Sequence, residues 1–136
     1  MLLPKKSREL EMIFREAAAP AASALLGTYA VDMLTGVPSL RWWNHRKRIW
    51  SGVSAGGCNL VGENLDWGYF RLRNATCPLD GRPAVLVDYD VWPNGFSRRF
   101  CDHLRCTDDP CILLGRFSCR LFGQPRFLGY FSLIKL

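Results

Sequence analysis

Residues 84–92 read Ala84-Val85-Leu86-Val87-Asp88-Tyr89-Asp90-Val91-Trp92, with Pro83 before them and Pro93-Asn94-Gly95 after. Apolar β-branched and aromatic residues alternating with others between turn formers are the signature of a β-strand. One face carries Val85, Val87, Tyr89 and Val91, and the other carries Ala84, Leu86, Asp88, Asp90 and Trp92. Strands of this length are long for a small domain, where about five or six residues are usual.

The same pattern recurs on both sides, at 26–34, 42–53, 58–63, 67–75, 112–122 and 126–136. The last two read as a hairpin joined by Gly123-Gln124-Pro125, and Gly56-Gly57 reads as a hairpin turn. At about 3.4 Å per residue the longer strands span roughly 30 Å. Long strands joined by short turns favour an up-and-down meander, and closing it removes the exposed edges. The expected fold is therefore mainly β, an antiparallel up-and-down β-barrel. A barrel of about eight strands has an interior just large enough for side chains or one small ligand. No βαβ alternation is present, which argues against a doubly wound sheet.

Two stretches depart from the strand pattern. At 7–19, Leu10, Ile13, Phe14 and Ala17 fall at i, i+3, i+4 and i+7, with Ser7 placed to cap and Pro20 to stop the helix. This predicts an N-terminal helix within 1–20 that covers a sheet or plugs a barrel end. At 97–106, Phe100, His103 and Leu104 stand at helical spacing behind Ser97, which predicts a short helix before the last two strands.

The chain has 136 residues, a length for one domain over 1–136. Hydrophobic residues make up 49% and charged residues 22%, which are globular rather than disordered proportions. No apolar run of about 20 residues exists, and the opening Met1-Leu2-Leu3-Pro4-Lys5-Lys6 lacks the order of a signal peptide. A cytoplasmic protein with no membrane partner is expected. Of the 18 cations behind the +6 net charge, 14 are Arg. They are scattered over separate strands, which argues against nucleic acid as the partner. Arg46-Lys47-Arg48, flanked by Trp42, Trp43 and Trp50, reads as a strand with solvated charges on one side.

The six cysteines are expected as free thiols, since the chain shows no export signal. Cys101, His103, Cys106 and Cys111 match no compact zinc spacing, so no metal is expected. No phosphate loop, nucleophile elbow or dinucleotide fingerprint appears, so no cofactor is expected.

Function is read from faces that mix Arg, Asp, Tyr and Ser with Trp and Leu. A ligand cavity uses both kinds, being mainly apolar with a few placed polar groups. In 67–75, Trp67, Tyr69, Arg71 and Arg73 share one face, opposite Gly68, Phe70, Leu72 and Asn74. The candidate ligand-binding residues are Trp43, His45, Trp67, Tyr69, Arg71, Tyr89, Arg116 and Tyr130. The catalytic candidates are His45, Tyr69 and Asp88. His45 shares its face with Trp43, Lys47 and Ile49, and an imidazole there could act as acid, base or hydrogen-bond partner. Asp88 and Asp90 could serve acid/base work, but pairing with Arg residues of neighbouring strands is the preferred reading. His103 reads as structural or exposed.

Leu26-Gly27-Thr28-Tyr29 opens the first strand after a helix, and Val87-Asp88-Tyr89 lies in a later one. They resemble the Gly-x-Trp and Thr-Asp-Tyr elements of the calycins, the lipocalins and fatty-acid-binding proteins. Arg116 or Arg120 would then supply the Arg that packs over the opening aromatic. The resemblance implies a small hydrophobic, amphiphilic or carbonyl-bearing molecule bound inside the barrel. A cofactor-free cyclase or isomerase using the same cavity is the alternative, and single-stranded nucleic-acid binding by Arg and Trp is a third. Oligomerisation is left open.

Overall fold

The computed structural model describes residues 3–36, 45–50, 55–62, 65–92 and 94–136. Eight antiparallel strands form a closed barrel in sequence order: β1 Gly27–Met33, β2 His45–Trp50, β3 Gly56–Val61, β4 Leu65–Thr76, β5 Pro83–Asp88, β6 Phe100–Cys106, β7 Ile112–Leu121 and β8 Gln124–Lys135. Closure runs through β1 and β8, from Tyr29 opposite Lys135 to Met33 opposite Phe131. The mainly β, up-and-down barrel read from the sequence is thus the fold. Among the described residues no helix is long and apolar enough to cross a membrane.

Three local expectations change. The stretch 97–106 is not a helix: a 3-10 turn at Gly95–Arg99 leads straight into β6. Phe100, Asp102 and Leu104 are also the inward face of a strand, and cross-strand pairing to β5 and β7 decides between the two periodicities. Gly56 and Gly57 belong to β3 rather than to a turn. A Cβ on Gly57 would lie 2.1 Å from the Arg48 carbonyl oxygen and 2.7 Å from the Phe70 ring, so glycine admits the ring there.

Helix α1, Ser7–Glu16, begins after Lys6 as N-cap, without a side-chain cap from Ser7. It covers the outer wall rather than an end of the barrel. Leu10 and Phe14 are fully buried against Leu34, Cys77, Ala84, Leu114 and Tyr130. Each such side chain contributes about 1.5–3 kcal/mol by leaving water. Arg105, completely buried, locks the helix down. It donates to both carboxylate oxygens of Asp80 at 2.7 and 2.8 Å, and to the carbonyls of Phe14, Arg82 and Pro83 at 2.8, 3.0 and 3.0 Å. That uses all five guanidinium N–H groups. The pairing also holds the Asp80 carboxyl down at about 2.

After the helix the chain crosses beneath the barrel. The Cys106 amide donates to Ala18 at 2.8 Å, and the Ala22 amide to Asn74 Oδ1 at 3.3 Å. Ala22 and Leu25 there join Tyr29, Ile49, Leu72, Val85, Leu104, Leu113 and Leu133 in one core cluster. This half of the interior is packed with side chains. The half toward Met33, His45, Val61 and Phe100, where four strands begin or end, is not.

Candidate functional site

The unpacked half is a cavity of about 310 Å³. Its walls are Val31, Met33, Val61, Phe100, Phe117 and Leu128, with His45 and Trp67 toward the mouth. Its inner end carries Lys47, Asn59, Tyr89, Asp102 and Phe131. The volume is at the small end for ligand pockets, and the make-up is the usual one, mostly apolar with a few convergent polar groups.

Two bulges set which residues enter. Opposite β3, the pairing steps from Cys58–Tyr69 to Asn59–Trp67, so Gly68 is an extra residue in β4. Gly68 sits at φ +68, and a Cβ on it would lie 3.0 Å from Asn59 Nδ2. Its carbonyl accepts from that nitrogen at 3.3 Å. The bulge lets Trp67 and Phe70 both face inward, which strict alternation forbids. Between β7 and β8 the step from Phe117–Gly129 to Ser118–Phe127 does the same for Leu128.

The polar groups at the inner end form one network. Lys47 Nζ donates to Asn59 Oδ1 at 2.7 Å and to the Tyr89 hydroxyl, and lies 3.6 Å from Asp102 Oδ2. Tyr89 donates toward Asp102 Oδ2 at 3.5 Å and accepts from Asn59 Nδ2 at 3.2 Å. All four residues are buried, and Asp102 Oδ1 has no hydrogen-bond partner among the described residues. The ammonium also lies 5.0–5.9 Å from the ring centroids of Phe70, Tyr89 and Phe131. Close packing supports this arrangement, because a Cβ on Gly115 would fall 2.2 Å from the Phe131 ring.

Burial pushes each ionisable group here toward its neutral form. The Asp102 carboxyl rises to about 6, with Lys47 opposing the rise. The Lys47 amine is lowered by desolvation, with Asp102 opposing. The Tyr89 hydroxyl is pushed well up by burial and by the Asp102 charge. The site therefore sets an amine and a carboxyl side by side, the charged form of each disfavoured by burial and favoured by the other. It can exchange protons with a bound molecule and present a bare carboxylate oxygen to a donor.

The sequence candidates divide. His45, Trp67 and Tyr89 line the cavity. Trp43 lies outside the described residues. Tyr69 and Arg71 do not join them: the Gly68 bulge turns both to the exposed outer face. Arg116 and Tyr130 are on the outer wall as well, against α1. Arg116 donates to the Tyr130 hydroxyl at 2.9 Å and stacks 4.0 Å from the Phe127 ring centroid. With His103, Ser118 and Cys77, Arg116 lines an outer hollow of about 180 Å³. Asp88 faces outward and pairs with Arg73 at 3.4 Å and Arg120 at 3.7 Å, while Asp90 pairs with Arg98 at 2.8 Å, as preferred from the sequence. Neither Arg116 nor Arg120 covers Tyr29, which points into the packed half of the barrel.

Lys47, Asn59 and Asp102 are not among the sequence candidates. The run Arg46-Lys47-Arg48 suggests solvated charges, yet alternation with the buried Ile49 places Lys47 inward. Asp102 lay in the stretch read as a helix, where its partnership with Phe100 and Leu104 was hidden. All six cysteines are free thiols, four of them buried. No family model, curated protein or solved structure matches the chain.

Proposed function

We propose that the barrel binds a small apolar molecule with one polar head, entered through the open end and seated head-down on the Lys47–Asn59–Tyr89–Asp102 network. The observation that carries this is Asp102 Oδ1: a buried acceptor without a partner among the described residues, on the wall of a mostly apolar cavity. An unpaired buried acceptor is worth about 1–3 kcal/mol to any ligand donor that satisfies it. The likeness of Gly27, Tyr29 and Val87-Asp88-Tyr89 to calycin elements points to the same use.

The test is titration with the neutral dye N-phenyl-1-naphthylamine and displacement by octanol. One dye per chain is expected, displaced by octanol and lost in Val31→Phe. That variant adds four carbons to the void, so it should also gain about 1–2 kcal/mol of stability, somewhat below the full transfer value of the added carbons. Unchanged dye binding in a folded Val31→Phe protein refutes the reading.

A second reading, a cofactor-free isomerase or cyclase, is favoured by one observation. His45, Tyr89 and an Asp102 carboxyl poised at about 6 face one water-poor cavity, and a carboxyl near the working pH suits general acid–base catalysis. Turnover of a carbonyl substrate at saturation that fades with Asp102→Asn would select it.

A further inference from the structure

We infer that Lys47 forms a covalent imine with an apolar aldehyde held in the barrel, with Asp102 as proton carrier and counter-ion. The inference rests on the cavity reading and names the ligand class it favours.

The geometry comes first. Lys47, Tyr89 and Asp102 line the same void, and the Lys47 amine is 3.6 Å from Asp102 Oδ2. The other Asp102 oxygen is unpartnered. The chain has four lysines, and the other three, Lys5, Lys6 and Lys135, are exposed. Apart from Lys135 at the exposed end of β8, the other cations on the described strands are arginines, which stay protonated and do not serve as nucleophiles. A structural cation in this place would not need to be Lys; an amine that can lose its proton does. The three aromatic rings around Nζ exclude water, which favours the condensed product over the hydrate. Desolvation lowers the Lys47 amine toward its nucleophilic form.

The step balances within the site. The ammonium passes one proton to the Asp102 carboxylate, and the free amine adds to the aldehyde carbon. The C–N bond forms as the carbonyl π pair moves to oxygen, which takes the proton that the now cationic nitrogen releases. Asp102 gives its proton to that oxygen, which leaves as water as the C–O bond breaks and the nitrogen lone pair completes the C=N bond. The product is a protonated imine whose positive charge replaces the ammonium beside the restored Asp102 carboxylate. Charge in the cavity is unchanged from start to finish, so the buried pair needs no new partner.

The experiment treats the full chain with trans-cinnamaldehyde and sodium cyanoborohydride, then maps the reduced adduct by peptide mass spectrometry. One adduct per chain on Lys47 is expected, formed at least about tenfold faster than on Lys5, Lys6 or Lys135, because an exposed amine stays almost wholly protonated at neutral pH. Excess cinnamyl alcohol, the same skeleton without a carbonyl, should suppress it. Asp102→Asn, which preserves shape, should slow trapping at least about tenfold with the aldehyde at saturation, so that weaker seating of the ligand does not account for the loss. Adducts spread over the exposed lysines, or none at all, overturn the imine. Binding of the alcohol, followed by calorimetry, separates the two failures. Alcohol bound without an adduct sinks only the imine, whereas no alcohol binding sinks the cavity reading with it.

Discussion

Replacing the buried pair by apolar side chains tests whether it is held for function or for the fold. The perturbation is Lys47→Met, alone and with Asp102→Leu. In the single variant Asp102 keeps an apolar site and loses the one cation beside it among the described residues. It then escapes ionisation by taking a proton. Its ordinary value is 3.8, so holding it neutral at about pH 7 spans roughly three pH units, a ceiling of about 4 kcal/mol relative to the unfolded chain. At about pH 4 the unfolded carboxyl is itself about half protonated, and the penalty falls below about 1 kcal/mol. The double variant removes both desolvation penalties. Well-packed apolar replacements of buried ion pairs are commonly neutral or stabilising by about 1–4 kcal/mol. The assay is urea unfolding of the three proteins at both pH values. A pH-dependent loss in the single variant and recovery in the double variant are expected. A double variant several kcal/mol weaker than the natural chain at both pH values would refute the reasoning, because the pair would then be a structural staple.

Two further outcomes are expected. His103 is held down at about 4 by burial and by the charges of Arg116, Arg105 and Arg120. The unfolded chain takes up the proton first, so stability should drop by about 3 kcal/mol as pH falls from about 6.5 to 4. Asp102 acts oppositely between its ordinary 3.8 and about 6, so His103→Gln should be stabilised by acid over that range, which urea midpoints against pH would show. Arg105→Met should lose about 3–5 kcal/mol, since it leaves Asp80 unpaired and frees α1 from β6. A loss under about 1 kcal/mol in thermal unfolding would make that guanidinium a bystander.

The barrel was legible because its evidence is repeated. Long alternating runs such as 84–92 and 112–122, separated by Pro and Gly, each say the same thing. The site was legible only where alternation is unbroken. Val85, Val87 and Tyr89 share the inward face as read, and so do His45 and Lys47. In β4 the face changes at Gly68, a residue whose backbone φ of +68 is invisible in a one-dimensional pattern. Tyr69 and Arg71 were therefore assigned to Trp67's face and in fact lie on the opposite one. Asp102 failed for another reason: a seven-residue segment with Phe100, His103 and Leu104 fits both periods, and only its neighbours β5 and β7 decide. Charge type misled as well, because a lysine between two arginines looks solvated until Ile49 is allowed to fix the register.

The Gly68 bulge makes the contents of the cavity wall a matter of backbone path as much as of residue type. Deleting that one position would restore strict alternation and keep both Trp67 and Phe70 on the inner face. Drawing Gly68 into the ladder without losing a residue would instead turn Trp67 outward and set Gly68 and Asp66 on the inner face near the rim. The same β4 residues could thus line the cavity differently according to whether the extra one bulges or pairs, while β5, β6 and the packed lower half keep their register.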